Sequence, residues 1–126
     1  MLRIRKEQYD SLVQQAVRDF ENRMYAHVTK VFPDECKALG EEGVRRSIKE
    51  GIERAARYGI EVEQDVARYI DLMFILGHGF DKDAELPWAG EILEDRNLSD
   101  PTARMDKLYD QAEAHLGRPV QGPYGS

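Results

Sequence analysis

The spacing of apolar residues is the feature of this chain that most limits its possible folds. In the first long segment, residues 5–31, apolar side chains lie at Tyr9, Leu12, Val13, Ala16, Val17, Phe20, Met24, Val28 and Val31. These apolar positions recur after three or four residues, which places the side chains along one side of an α-helix, where they can be buried together. No segment that alternates like a β-strand exceeds four residues, and no internal repeat occurs. We therefore predict an all-α protein.

Prolines and glycines divide this pattern into separate helices. Pro33 ends the first helix, because proline lacks an N–H donor and restricts the residue before it. Asp100 followed by Pro101 is typical of a helix start. Glycine supplies the left-handed conformation with which many helices close. The glycines in such positions are Gly40, Gly59, Gly77 and Gly117.

The resulting prediction is a bundle of four main helices with one or two short ones. The main helices cover residues 5–31, 43–58, 62–76 and 101–116, and the short ones cover 34–39 and begin near Leu86 or Pro87. The third main helix is apolar on nearly all sides in its last turn, so we expect it at the centre of the bundle. Residues 1–117 then form a single domain, and residues 118–126 are expected to be a disordered tail.

Composition argues against several classes of protein. The 126 residues suffice for one domain with its own core. The net charge of −6 disfavours a nucleic-acid partner and an anionic membrane surface. The single Cys36 cannot form an internal disulfide, and the first residues, MLRIRKEQYD, lack the apolar core of a signal peptide. We therefore expect a cytoplasmic protein.

The stretch LGHGFDKDAELPWAGEIL, residues 76–93, combines glycines, a histidine, acids and the only tryptophan. Its acids alternate as at the start of a calcium loop, at Asp81, Asp83 and Glu85. Such a loop needs glycine at its sixth position and glutamate at its twelfth, where this chain has Leu86 and Ile92. The calcium interpretation therefore fails.

The same stretch is better explained as a joint between two helices. Gly77 and Gly79 allow the chain to leave one helix, and Pro87 is favourable in the first turn of the next. Phe80 and Trp88 can cover the open end of the bundle. Because a partly exposed tryptophan flanked by acids makes a good interface anchor, we predict Phe80 and Trp88 as partner-binding residues.

A basic cluster occupies the second main helix, in the segment GVRRSIKEGIERAARYG. Its cations are Arg45, Arg46, Lys49, Arg54 and Arg57. Glu50 and Glu53 lie one helical turn from most of them, so a solvated and internally paired surface is one interpretation. The other is a binding surface for a protein partner with an acidic face, and we include all five cations among the predicted partner-binding residues.

No pattern of residues indicates catalysis, a metal or a cofactor. The chain has no glycine-rich phosphate loop, no GxSxG motif and no HExxH or CxxC spacing. Cys36 follows Asp34 and Glu35, which should raise its thiol pKa and disfavour a nucleophilic role. We therefore predict a protein that is not an enzyme.

Asp71 is an unexpected charged residue in the most apolar helix. The preferred interpretation is that it faces solvent and pairs with Arg68, three positions earlier. If Asp71 is buried instead, its pKa should be shifted and it becomes a candidate site residue. An internal polar pocket where Asp71 meets His78, in a small enzyme or ligand-binding domain, is therefore kept as the alternative.

The order of segments along the chain resembles a known group of proteins. A long helix ending in FP is followed by EGIERAARYGI, by EVEQDVARYIDLMFILGHGFDKDAELPWAGEIL and by RMDKLYDQAEAHL. These segments, within residues 3–116, resemble small all-helical bacterial proteins encoded in type VI secretion gene clusters, near spike proteins and their toxins. The resemblance implies an accessory role as effector adaptor, chaperone or immunity protein. It supplies no functional residues.

Together these observations predict a non-catalytic protein-binding module. The expected partner is a secretion-system toxin or spike component, held on a rigid helical surface by a few aromatic and arginine anchors. A homo-oligomer is also possible, and a twofold dimer through the long first helix would be its commonest form.

Overall fold

A computed structural model describes residues 11–120 of the chain. Its five α-helices are α1 (Ser11–Val31), α2 (Pro33–Arg57), α3 (Glu63–Leu76), α4 (Pro87–Leu93) and α5 (Pro101–Leu116). A short 3₁₀ turn, Phe80–Lys82, lies between α3 and α4. The prediction of an all-α single-domain fold is confirmed. The predicted first turn of the first helix, residues 5–10, lies outside the described residues.

The junction between α1 and α2 follows the predicted proline signal. α1 ends at Val31, and Pro33 begins α2 at a position where its missing N–H has no consequence. The sequence predicts two helices between residues 34 and 58, the first ending at Gly40. The segment α2 is interrupted at this glycine, whose φ of +74° and ψ of +167° are not helical, and the helix resumes directly after it. The predicted break at Gly40 is therefore present inside α2.

The C-terminal end of α2 is closed by the glycine that the sequence indicates. Gly59 has φ of +77°, and its N–H donates to the carbonyl oxygen of Ala56 at 3.0 Å. The next residue, Ile60, is fully buried and donates to Ala55 at 2.9 Å. These two bonds form a Schellman motif, which satisfies carbonyl groups that would otherwise lack a partner.

α3 lies at the centre of the bundle, as predicted. Its buried residues are Asp65, Val66, Ala67, Tyr69, Ile70, Asp71, Leu72, Met73 and Phe74. α2 approaches it closely at Gly51, where an added Cβ would lie 2.6 Å from Ile70 Cγ1 and 3.0 Å from Met73 Sδ. The close contact between these helices therefore depends on a residue without a side chain.

The ordered domain extends beyond the predicted boundary at residue 117. The backbone N–H of Val120 donates to Glu113 Oε2 at 2.8 Å, and the Val120 side chain is buried against the core. Residues 118–120 are thus attached to α5 and do not belong to a disordered tail. The remainder of the predicted tail, residues 121–126, lies outside the described residues.

Candidate functional site

Two adjoining cavities open where the end of α2 meets the chain around α4. The first has a volume of about 280 Å³ and is lined by Arg54, Arg57, Tyr58, Asp81, Lys82 and Glu94. The second, of about 350 Å³, shares Arg57, Tyr58 and Glu94 and continues along Leu93, Asp95, Arg96, Ser99 and Arg104. We call the pair the arginine cleft, after Arg54, Arg57, Arg96 and Arg104. Each cavity is close to the lower end of the usual range for ligand sites, ~300–1,000 Å³.

The floor of the arginine cleft is fixed by contacts between distant parts of the chain. The Tyr58 hydroxyl donates to Asp81 Oδ2 at 2.7 Å and so attaches the 3₁₀ turn to the end of α2. Asp81 is buried, and its backbone carbonyl oxygen would lie 2.9 Å from a Cβ added at Gly90 of α4. The end of α2, the 3₁₀ turn and α4 are therefore held in contact with one another beneath the cleft.

Two of the cleft arginines are held by backbone carbonyl groups. Arg54 donates through Nη1 to the carbonyl oxygen of His78, just beyond α3. Arg104 donates through Nη1 to the carbonyl oxygen of Leu93, the last residue of α4, at 2.6 Å. A cation is favourable at such a position because the C-terminal end of a helix is partially negative. The Arg104 Nε atom is buried and has no hydrogen-bond partner among the described residues.

The other cations of the cleft are free. Arg57, Lys82 and Arg96 are exposed, and their side chains make no ion pair or hydrogen bond with any residue in 11–120. The two cavities together contain five cations and three carboxylates, although the whole chain has a net charge of −6. The cleft is therefore locally positive on an acidic protein, and an anionic group would be attracted to it.

Two tyrosines beneath the cleft remain protonated at neutral pH. Burial raises the pKa of Tyr69 far above its ordinary value, and the nearby Asp81 carboxylate adds to this effect. Burial and the hydrogen bond to Asp81 likewise raise the pKa of Tyr58. The Tyr69 hydroxyl is buried without a hydrogen-bond partner among the described residues. Both phenols can thus donate a hydrogen bond, but neither is suited to act as a base.

The structure contradicts one of the two predicted aromatic anchors, Phe80, and leaves the other, Trp88, partly exposed. Phe80 is fully buried, with its ring centre 5.1 Å from that of Tyr69, so it cannot contact a partner. Trp88 is half-buried on α4, and its ring lies 5.9 Å from that of His115 on α5. Phe80 and Trp88 stabilise the joint between α3 and α5, which agrees with the structural interpretation of the 76–93 stretch.

The predicted basic surface is divided between different sides of α2. Arg45 lies over the Tyr25 ring at 4.4 Å and donates to Asn22 of α1 at 3.0 Å. Lys49 lines a groove between α1 and α2, and Arg46 is exposed outside the cleft. Of the five cations, only Arg54 and Arg57 lie in the cleft beside the 76–93 stretch.

The prediction that Asp71 faces solvent is wrong. Asp71 is 1% exposed, and both of its carboxylate oxygens lie 3.0 Å from Nε2 of His27 on α1. Arg68 instead pairs with Asp65 at 3.3 Å and with Asp106 at 2.8 Å. Burial raises the pKa of Asp71 to about 6, although the hydrogen bond to His27 opposes this shift.

His78 does not meet Asp71, as the alternative prediction requires, but Ser47 of α2. Ser47 Oγ donates to the Gly43 carbonyl oxygen at 2.9 Å, and His78 Nε2 lies 2.9 Å from the same Oγ. Because the serine hydroxyl donates to Gly43, it is not arranged as a donor to the imidazole, as activation of a nucleophile would require. Burial lowers the pKa of His78, and the positive charge of Arg54 acts in the same direction.

Cys36 is similarly unsuited to nucleophilic chemistry. It is buried, and its thiol donates to the carbonyl oxygen of Val28 at 3.4 Å. Its pKa is raised, as the sequence predicts, but burial is the main cause and the Glu35 charge is secondary. Because a protonated thiol is a poor nucleophile, this environment disfavours a reactive cysteine.

Several residues of the arginine cleft could not be recognised from the sequence. Tyr58, Glu94, Arg96 and Arg104 carry no local motif, and Arg104 lies in a different helix from Arg57. Only the Schellman glycine at position 59 indicates that the chain turns sharply beside Tyr58. The composition of the cleft therefore depends on how the helices pack and is not visible in local spacing.

Comparison of this chain with protein-family models, with curated proteins and with solved structures found no match. Within residues 11–120, no helix is both long enough and apolar enough to cross a membrane. The same residues contain no group of three histidine, cysteine or acidic side chains arranged to hold a metal ion. The arginine cleft is a candidate site on the geometry of the described residues alone.

Proposed function

We propose that this chain is a non-catalytic protein-binding module that docks its partner at the arginine cleft. The observation that carries the proposal is the presence of Arg57 and Arg96 in a locally positive cleft on an acidic protein, exposed and without a hydrogen-bond or ion-pair partner in residues 11–120. Arginine is enriched at the centres of protein interfaces, where its guanidinium group can form several hydrogen bonds at once. The rigid floor beneath the cleft favours binding because little order is lost on association.

The environment of the reactive side chains supports a role without catalysis. Burial raises the pKa of Cys36, and the Ser47 proton is directed at a backbone carbonyl group. Asp71 and His78 have separate partners, His27 and Ser47, on different helices. None of these groups is arranged next to the cleft as a nucleophile with its base.

The resemblance to proteins of type VI secretion gene clusters suggests the kind of partner. We propose an accessory role as effector adaptor, chaperone or immunity protein, acting in the cytoplasm on a secretion-system toxin or spike component. An adaptor or chaperone would deliver that partner, whereas an immunity protein would block it. All three roles require the same property, a stable surface that binds one protein.

A pull-down from the native host tests this proposal. The tagged wild-type chain, Arg57→Glu and Arg46→Glu would be compared at modest salt, with mass spectrometry of the captured proteins. Both substitutions reverse one exposed charge on α2, but only Arg57 lines the cleft. We expect Arg57→Glu to capture at least about tenfold less partner, while Arg46→Glu retains it.

The opposite pattern would contradict docking at the cleft. Loss with Arg46→Glu alone would assign binding to the other side of α2. Equal capture by all three proteins would exclude both surfaces, provided that circular dichroism shows the same helical content. A toxicity assay with the captured protein would then separate an immunity protein from an adaptor or chaperone.

A further inference from the structure

The charges in the two cavities of the arginine cleft indicate what kind of group a partner would place there. The first cavity contains Arg54, Arg57 and Lys82 against Asp81 and Glu94. Its formal charge is therefore +1, from three cations and two carboxylates. This balance suits one singly charged anion better than a group with two charges.

The second cavity has the same balance with different residues. Arg57, Arg96 and Arg104 face Glu94 and Asp95, which again leaves a formal charge of +1. Arg104 is held in place by the Leu93 carbonyl oxygen, while its buried Nε has no partner among the described residues.

Glu94 lines both cavities and so places a negative charge between them. A phosphate ester carries about −1.5 to −2 charges at neutral pH and would be repelled by this residue more strongly than a carboxylate. A nucleic-acid backbone, with a charge at every phosphate, would meet the same obstacle on a protein with a net charge of −6. A carboxylate carries one charge and matches the planar, forked geometry of arginine.

We infer that the arginine cleft recognises an acidic peptide segment, with one carboxylate side chain in each cavity. This inference rests on the proposed docking function and specifies the chemistry of the partner. Arg57 lines both cavities and contacts both carboxylates, whereas Arg96 contacts only the carboxylate in the second. The half-buried Tyr58 provides the surface on which the neutral parts of the segment pack.

Titration by nuclear magnetic resonance tests the inference without knowledge of the partner. The probe is the acetylated and amidated peptide Gly-Glu-Gly-Glu-Gly, and the signals followed are the arginine side-chain N–H groups. We expect saturable shifts at Arg57 and Arg96 with a Kd of about 1 mM, because so short a peptide buries little surface. The peptide with glutamine in place of glutamate should bind at least about tenfold more weakly.

Variants assign the binding to the cleft. Arg57→Gln and Arg96→Gln should each weaken peptide binding, whereas Lys107→Gln, an exposed cation on α5 outside the cleft, should not. Equal binding of the glutamate and glutamine peptides would overturn the inference. So would tighter binding of inorganic phosphate or of a single-stranded oligonucleotide under the same conditions.

The two proposals fail in different ways. If Arg57→Glu loses the partner in the pull-down but the acidic peptide neither binds nor competes, the carboxylate inference is wrong and docking at the cleft stands. If the peptide binds at Arg57 but partner capture is unchanged in Arg57→Glu, the docking function is wrong. In that case the cleft remains a carboxylate site without a role in that complex.

Discussion

The Asp71 carboxylate shows how the packing of α3 determines the role of a single residue. Its partner is not Arg68, three positions earlier, but His27, which comes 44 residues before it in the chain. The buried Ala67 and Phe74 lie one turn before and after Asp71, so the same side of the helix was already apolar. This row of residues is the signal that could have indicated burial, because a helix at the centre of a bundle has no solvent-facing side.

The pKa of Asp71 leads to a prediction about stability and pH. Because burial raises the pKa from 3.8 to about 6, the folded protein holds this proton more tightly than the unfolded chain does. The stabilisation that the folded protein gains from binding this proton is fully present below pH 3.8, and it is lost as the pH rises through about 6. The loss is on the order of 2–3 kcal/mol at most, and His27 and Tyr109 are the titratable groups nearest to the carboxylate.

Thermal unfolding of the wild type and of Asp71→Asn, measured from pH 4 to 7, checks this effect. We expect the wild-type Tm to fall relative to that of Asp71→Asn as the pH rises, because only the wild type must ionise a buried carboxylate. Asp110→Asn, an exposed acid on α5, is the matched control and should show no such trend. A constant Tm difference between wild type and Asp71→Asn would show that Asp71 has its ordinary pKa.

Helix ends were predictable from the sequence because their signals are local. Pro33, Gly59 and the pair Asp100–Pro101 each act on the backbone of their own turn, and the structure places a helix boundary at each. Gly40 acts in the same local way, because its positive φ interrupts the helical backbone inside α2.

Gly51 provides a test of the contact between α2 and α3. Gly51→Ala should destabilise the protein by about 1–3 kcal/mol, because its Cβ would lie 2.6 Å from Ile70. The cost of this steric overlap exceeds the gain in helix propensity from replacing glycine by alanine, which is about 1 kcal/mol. Gly43→Ala is the control: its Cβ would lie 3.1 Å from that of Leu39, a less severe contact than the one at Gly51, so a smaller loss is expected. Urea denaturation of both variants measures the difference.

An equal or higher stability of Gly51→Ala would mean that the two helices are not in close contact at this position. The slope of the denaturation curve should be unchanged in both variants, because neither alters the surface exposed on unfolding. A changed slope in Gly51→Ala would indicate instead that the packing of the whole core had been altered.

The fold class of the whole molecule was predictable, whereas its candidate site was not. Apolar spacing depends on neighbours within one or two helical turns, so it identifies helices and their buried sides. The arginine cleft depends on the approach of Arg57, Asp81 and Arg104, which lie far apart in the chain. The predicted surface contained Arg54 and Arg57 but combined them with Arg45 and Lys49, which face elsewhere.

The extent of the domain can be tested at Val120. Val120→Ala should lower the free energy of unfolding by about 1–2 kcal/mol, because two buried methyl groups are lost. Arg118→Ala, which changes an exposed residue of the same segment, should have little effect. If Val120→Ala and the wild type have the same midpoint of urea unfolding, the domain ends at residue 117, as the sequence predicts.

The arginine cleft is formed by parts of the chain that are synthesised at different times. Arg54 and Arg57 leave the ribosome before Arg96 and Arg104, so the cleft is incomplete until the later residues have followed. Chains are made from the N-terminal end, so a nascent chain displays the α2 arginines before it has a site in which to use them. A partner that requires the whole cleft would therefore bind only chains in which the helix carrying Arg104 has been made and packed, so its binding would report that this part of the fold has formed.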